Sequence, residues 1–269
     1  MDLHTVTEVV SPAGPGLWRD GDAWLAGGTA LFSEPRPSVV RLLDLAAAGW
    51  APLTVTAEGL EIAATCTVAE LAAFAGDPAW TAWRGLARRC CESFLASFKI
   101  WNVATVGGNL CAALPAGPMI TLTAALDGRC LLLGPDGDPR TLPVPELVTG
   151  NGTTCLRPGE LLRSISLPRA ALSGAAALRQ GSLHPLGRSA TLLAARRTDD
   201  GLVLAVTAAT VRPMIFRFPG SPDAADVASA LRDGIGAGDW VDDVHGTPAW
   251  RRHLTLRHAE ELRRELVNA

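Results

Sequence analysis

The sequence predicts an α+β protein, with a first half that mixes strands and helices and a second half built as a sheet with helices. Three observations carry that expectation. Short apolar runs bounded by Gly, Pro and Asp recur along the chain and read as strands. Between them, Thr81–Phe98 places apolar residues at Trp83, Leu86, Ala87, Cys90, Cys91, Phe94 and Leu95, which is helical spacing. Beyond Arg169–Ala177, a small-residue stretch that reads as a linker, three strand candidates precede two helices. The chain has 269 residues, 48% hydrophobic and 19% charged, enough apolar material for one large domain or two smaller ones.

Taken in order, "AWLAGGTAL" (Ala23–Leu31) is a short strand running into a glycine turn, and Val39–Leu45 is the next strand. Leu53–Thr56 and Leu60–Ala64 form a hairpin around Glu58-Gly59. Thr67 is placed to cap a helix, with Glu70 three residues on at capping-box spacing. After the Thr81–Phe98 helix comes a second glycine turn, "TVGGNLC" (Thr105–Cys111). Met119 onward reads as apolar, strand-like segments broken by Asp127-Gly128 and Pro135-Asp136-Gly137. Glu160–Pro168 closes the first half as a strand. In the second half the strands are Ala177–Gln180, Ser189–Arg197 and Leu202–Val211, the last two joined by the hairpin turn "TDDG". The helices run from about Pro222 to Asp233 and from Thr247 to Val267, the second amphipathic through Leu254, Leu256, Ala259, Leu262 and Leu266.

Several function classes are set aside by composition and motif. A net charge of -3 offers no broad basic surface for nucleic acid or anionic lipid. No apolar run reaches the roughly 18 residues that span a bilayer. The N-terminus, with Asp2, His4 and Glu8 ahead of its first arginine, Arg19, does not read as a secretory signal, so a cytoplasmic location is expected. The six cysteines contain no C-x-x-C pair and no C-x4-C-x2-C spacing, and read as buried thiols. "DDVH" (Asp242–His245) reads as a solvated loop rather than a metal site. "GIGAGD" (Gly234–Asp239) misses the Rossmann fingerprint, and Walker and G-x-S-x-G motifs are absent.

The two Gly-Gly turns are the features with chemistry in them. Successive backbone N–H groups in a glycine turn suit an anion, and without Cβ atoms the backbone approaches it closely. Two such turns, each entered from an apolar run and each followed by a hydroxyl or an amide, fit a pyrophosphate held from two sides. That points to a dinucleotide outside a Rossmann fold.

Those residues resemble a known family. "KIWNVATVGGNLCAALPAGPMITLTAALD" (Lys99–Asp127) is similar to the second flavin loop of the FAD-binding subunits of molybdenum hydroxylases, whose pattern is close to I-R-N-x-A-T-x-G-G-N-L-C-x-A-x-P-x-x-D. The carbon monoxide dehydrogenase medium subunits and the FAD domain of xanthine dehydrogenase are of this type. "LAGGTAL" resembles the family's first loop, "GELLRSISLP" its last flavin-domain strand, and "DDVHGTPAWRRHL" the opening of its final helix, all in the family's order.

The resemblance implies a two-lobed flavin domain of the vanillyl-alcohol-oxidase type over residues 1–169, with lobes of about 1–52 and 53–169. A small C-terminal domain over 176–269, a three-stranded antiparallel sheet with helices, follows. It implies FAD, bound non-covalently. Ala26, Gly27, Gly28, Thr29 and Ala30, with Thr105, Val106, Gly107, Gly108 and Asn109, are expected around the pyrophosphate and ribityl chain, Leu162 near the isoalloxazine, and Arg179 where the family often has a flavin-contacting Lys. No catalytic acid or base and no metal ligand is expected on this chain. The implied partners are an iron–sulfur small subunit carrying [2Fe-2S] clusters and a large subunit carrying molybdopterin. Electrons pass from the clusters to FAD and on to an external acceptor.

The chain departs from the family pattern at four places. Pro118 stands at the usual Asp, Trp101 at the Arg of I-R-N, Ala30 where Asp or Ser often closes the first loop, and Leu183-His184 where paired arginines usually follow the Arg179 strand. Three other readings stay open at this point: a flavin-poor assembly subunit of the same complex, a self-sufficient flavin oxidase, and an α+β domain without a cofactor.

Overall fold

The computed structural model describes residues 3–11 and 13–267. Asp2 of the charged N-terminus, and the outermost residues of both expected domains, lie outside the described residues.

The first sheet is parallel and small. It is built from β1 (Glu8–Val10), β2 (Asp22–Leu25) and β3 (Arg41–Asp44), with β3 central. Its apolar cluster has only Leu3, Val39 and Leu42 fully buried. A charge pair supplements that core. Arg41 sends Nε to Asp22 Oδ1 at 2.8 Å and Nη2 to Asp22 Oδ2 at 2.6 Å, a bidentate arrangement with little solvent on either partner. The Arg41 guanidinium holds the Asp22 carboxyl below the ordinary carboxylate range.

The second sheet is antiparallel. β4 (Leu53–Val55) and β5 (Gly59–Ala63) form the expected hairpin, β6 (Arg129–Leu133) and β7 (Pro139–Pro143) form another, and β10 (Leu161–Pro168) joins them in the order β4-β5-β10-β6-β7. β8 (Val148–Gly150) and β9 (Thr153–Thr154) pair as a separate two-stranded ribbon. The helices are α1 (Val68–Ala73), α2 (Thr81–Glu92), α3 (Phe98–Trp101), α4 (Val106–Ala112), α5 (Pro118–Ala125), α6 (Val144–Leu147) and α7 (Arg169–Leu172). Thr67 and Glu70 make the expected reciprocal capping box at the start of α1.

The C-terminal sheet is antiparallel in chain order: β11 (Ala176–Gly181), β12 (Thr191–Thr198), β13 (Gly201–Thr207) and β14 (Met214–Pro219). Every residue of β13 is buried, because the sheet is covered on both sides. Leu178, Leu192, Ala194 and Ala205 join the large core that contains α2 and α5. Leu193, Ala195, Leu204 and Val206 pack against α8 (Ala224–Gly234) and α9 (Pro248–Val267).

Four expectations are corrected here. The C-terminal sheet has four strands, not three. The fourth, β14, is a short run between Pro213 and Pro219, and the prolines obscure its alternation. The helix from Thr81 stops at Glu92 rather than Phe98, and Leu95 takes φ 30, a left-handed value that no helix accepts. The strand-like run after Gly117 is helix α5. All eight of its residues are buried, so it shows no helical period, and its threonines return their hydroxyls to the helix, Thr123 Oγ1 to Met119 O at 2.7 Å. The Arg169–Ala177 linker contains the one-turn helix α7.

Candidate functional site

The first glycine pair is an open loop leaving β2. Gly28 has φ 71, a left-handed backbone that favours glycine. Gly27 is fixed by contact: a Cβ there would lie 1.7 Å from Val103 O, so this loop rests directly on the backbone that leads into the second. Thr29 and Ala30 are exposed. Among the described residues, the N–H groups of Gly27, Gly28, Thr29 and Ala30 have no acceptor within the chain.

The second glycine pair is not a turn, and this corrects the expectation. Thr105 is the N-cap of α4, and Val106, Gly107, Gly108 and Asn109 form its first turn. The N–H groups expected to be free are committed. Val106 N–H donates to Cys66 O at 2.8 Å, Gly107 N–H to Ala64 O at 2.9 Å, and Gly108 N–H to Thr105 Oγ1 at 3.0 Å. Gly107 has no room for a side chain, since a Cβ would meet Ala64 Cβ at 2.4 Å. Gly108 is different. Its added Cβ would meet only Thr105 Oγ1, at 2.9 Å, and otherwise open space.

The two loops meet. A cavity of about 230 Å3 is lined by Ala26 and Gly27 from the first, Thr105 from the second, and Thr65, Asn102 and Val103 between them. One helical turn further on, Asn109 lines a second chamber of about 290 Å3 between the first half of the chain and the C-terminal sheet. Phe94, Leu95, Leu114 and Leu186 give that chamber apolar walls, and Arg188 is its one charged side chain. Asn109 Oδ1 accepts the Met119 N–H at 3.1 Å, so it caps α5, whose own N-cap Gly117 has no side chain to do so. Pro118 is buried at the first position of α5, where a missing N–H costs nothing.

The remaining expected residues are elsewhere. Leu162 is 2% exposed within β10 and belongs to the core under the second sheet. Arg179, on β11, gives Nε to Glu261 Oε2 at 3.2 Å and Nη2 to Glu265 Oε2 at 2.6 Å, both on α9. Neither lines either chamber. Thr65, Asn102 and Arg188 were missed by sequence reasoning, since they converge from separate segments and no local spacing marks them. A cavity of about 660 Å3 is at the seam where Asp127 meets Arg196 and Arg217, and neither glycine pair lines it.

Four cysteines, Cys66, Cys90, Cys91 and Cys130, are buried as expected, whereas Cys155 is half-buried and Cys111, on α4, is exposed, which corrects the expectation for those two. Burial pushes Cys66, Cys91 and Cys130 up to about 12, so they stay protonated at neutral pH. Among the described residues no group of three His, Cys, Asp or Glu is placed to hold a metal ion. Asp243 of "DDVH" is paired with the buried Arg251. No described helix is long and apolar enough to cross a membrane.

A glycine loop leaving β2 and the capped start of α4 thus share one cavity. Residues 21–170 match the FAD binding domain in molybdopterin dehydrogenase, and this chain belongs to that family. A stretch of 84 residues is 33% identical to xanthine dehydrogenase from Oryza sativa subsp. japonica, covering 29% of this chain and 6% of that much longer protein. The fold is shared with quinoline 2-oxidoreductase from Pseudomonas putida 86, at a TM-score of 0.79 and 18% identity, over 100% of this chain and 99% of that one. It is also shared with CO dehydrogenase from Oligotropha carboxidovorans, at a TM-score of 0.78 and 19% identity over 92% and 90% of the two chains. The corresponding values for a Hydrogenophaga pseudoflava CO dehydrogenase lacking the Mo-pyranopterin moiety are 0.78 and 17%, over 97% of each chain.

Proposed function

We propose that this chain holds one FAD non-covalently and serves as the flavin-carrying electron-transfer subunit of a cytoplasmic molybdenum hydroxylase. The observation that carries the reading is the convergence of Ala26 and Gly27 with Thr105 on one cavity, although about eighty residues separate them in the chain. In this reading residues 1–169 are the two-lobed flavin domain and 176–269 the C-terminal domain. The free N–H groups of Gly27 to Ala30 bind the pyrophosphate, and Thr65 and Thr105 offer hydroxyls beside it. Gly108 leaves room for the approach, and Val106 and Gly107 fix α4 as a rigid wall. The interdomain chamber takes the ring end, where Phe94, Leu114 and Leu186 exclude water and Arg188 supplies positive charge in place of Arg179. Bound there, FAD supplies the redox chemistry, and the protein binds, orients and shields it. An iron–sulfur small subunit and a large subunit carrying molybdopterin complete the complex, and an external acceptor takes the electrons.

A second reading, a flavin-poor assembly subunit, is favoured by one observation: the N–H groups of Val106, Gly107 and Gly108 are already spent. Absorbance in the flavin bands separates the two. The first reading expects one FAD per chain, released into solution by acid denaturation. An intact complex with little or no flavin would support the second.

A further inference from the structure

The buried guanidinium of Arg251 has no part in the flavin site proposed above, yet it binds the backbone just behind both walls of the interdomain chamber. Arg251 is 1% exposed, near the start of α9. Its Nη1 donates to Ala190 O at 2.7 Å and to Ala208 O at 2.8 Å; its Nε donates to Gly246 O at 2.9 Å; its Nη2 pairs with Asp243. Ala190 follows Arg188 and Ser189, which line one wall. Ala208 reaches the other. Its N–H donates to Pro115 O at 2.7 Å, and Pro115 lies between Leu114 and Ala116 of the facing wall.

The backbone at Ala208 shows that this bridge is held under strain. Ala208 has φ 62, a left-handed conformation that an alanine adopts at a cost. That peptide is turned so that its N–H meets Pro115 while its carbonyl meets Arg251. Such strain persists where surrounding contacts over-determine it. Here Pro115 holds the N–H of Ala208 and the charged fork of Arg251 holds its carbonyl, and the rigid planar geometry of that fork ties Ala190 and Ala208 to one point.

Resting on the flavin reading above, we infer that Arg251 is a positioning residue that sets the separation of the two chamber walls, and with it the fit of the flavin ring. It touches the cofactor nowhere. It acts through Ala190 on the Arg188–Ser189 wall and through Ala208 and Pro115 on the Leu114–Ala116 wall.

The test compares two ligands on the full-length protein stripped of flavin. FAD spans both chambers, whereas ADP carries only the end held at the first glycine loop. Arg251→Lys keeps the charge and loses the fork. It is expected to weaken FAD by about ten-fold or more, the scale of a lost charge-assisted hydrogen bond, to leave ADP affinity within about two-fold, and to change the visible circular dichroism of the bound flavin. Asp243→Asn, which keeps the guanidinium in place but unpaired, is expected to do the same to a smaller degree and guards against a lysine variant that fails to fold. Unchanged FAD affinity and dichroism in both variants, or a parallel loss of FAD and ADP, would overturn the positioning role. Wild-type protein that takes up neither ligand would overturn the flavin site itself.

Discussion

Gly27-Gly28 and Gly107-Gly108 look interchangeable as sequence, and the folded chain uses them in opposite ways. The first pair is an open loop on a small parallel sheet, with its N–H groups free and its position set by contact with Val103. The second lies in the first turn of a helix seated in a large core, with its N–H groups consumed by the Ala64 carbonyl and the Thr105 hydroxyl. The same dipeptide therefore answers two demands. One glycine pair leaves donors available to a ligand; the other lets a helix approach a neighbouring strand end without a side chain between them. A glycine motif thus marks a close approach, and the partners of its N–H groups identify what approaches.

Substitutions that add one methyl group test this contrast. Gly27→Ala is expected to have the largest effect, because its Cβ would have to displace the backbone of Val103. FAD binding should be lost and Tm lowered together, and retention of full flavin at wild-type Tm would show that the loop contact is not needed. Gly107→Ala comes next. Overpacking against Ala64 should cost about 1–3 kcal/mol, read as a fall in Tm of flavin-free protein.

Gly108→Ala should affect the ligand more than the fold. Nothing in the fold opposes that methyl group except the Thr105 hydroxyl. Flavin-free protein should stay within about 1 kcal/mol of wild type, the gain in helix propensity being offset by the shift of the capping Thr105 hydroxyl, while FAD affinity falls. Undiminished FAD affinity would mean that the ligand does not approach Gly108. The smallest expected effect is on the first loop alone. Asp22 has its pKa depressed by Arg41, so the pair stabilises the folded state above the ordinary aspartate pKa of about 3.9 and loses that contribution as pH falls below it. Hydrogen exchange, corrected for intrinsic rate, should therefore rise in residues 22–30 before it rises in 105–112 on acidification. Simultaneous loosening would contradict a separately held first sheet.

Legibility followed the locality of the signal. The capping box at Thr67 and Glu70, the β12–β13 hairpin and β10 each announce themselves within a few residues, and each is where the pattern placed it. Helix α5 was illegible as a helix because burial on every side erases the 3.6-residue period, leaving only β-branched and apolar residues to read. The second glycine pair reads as a turn because glycines at the start of a helix look like glycines in a turn in the absence of their N–H partners. Within the candidate site, the glycine pairs and Asn109 were visible. Thr65, Asn102 and Arg188 were not, since a chamber wall is assembled by tertiary structure from residues without a shared spacing. Arg179 is paired with two glutamates on α9, about eighty residues distant, that no local window relates to it.

Helix α5 also bears on how the chain could be divided. A cut in the stretch 169–176 would follow the proposed domain boundary, but it would strip the C-terminal sheet from a helix that has no polar face to offer water. Thr121 Oγ1 would lose its 2.6 Å hydrogen bond with Thr207, and the Ala125 carbonyl would lose the Arg196 guanidinium. The first fragment would expose a contiguous oily surface and self-associate. The two parts are thus separable in sequence and inseparable in thermodynamics. Calorimetry of the whole chain should show one transition rather than two, and the halves should regain solubility only when produced together.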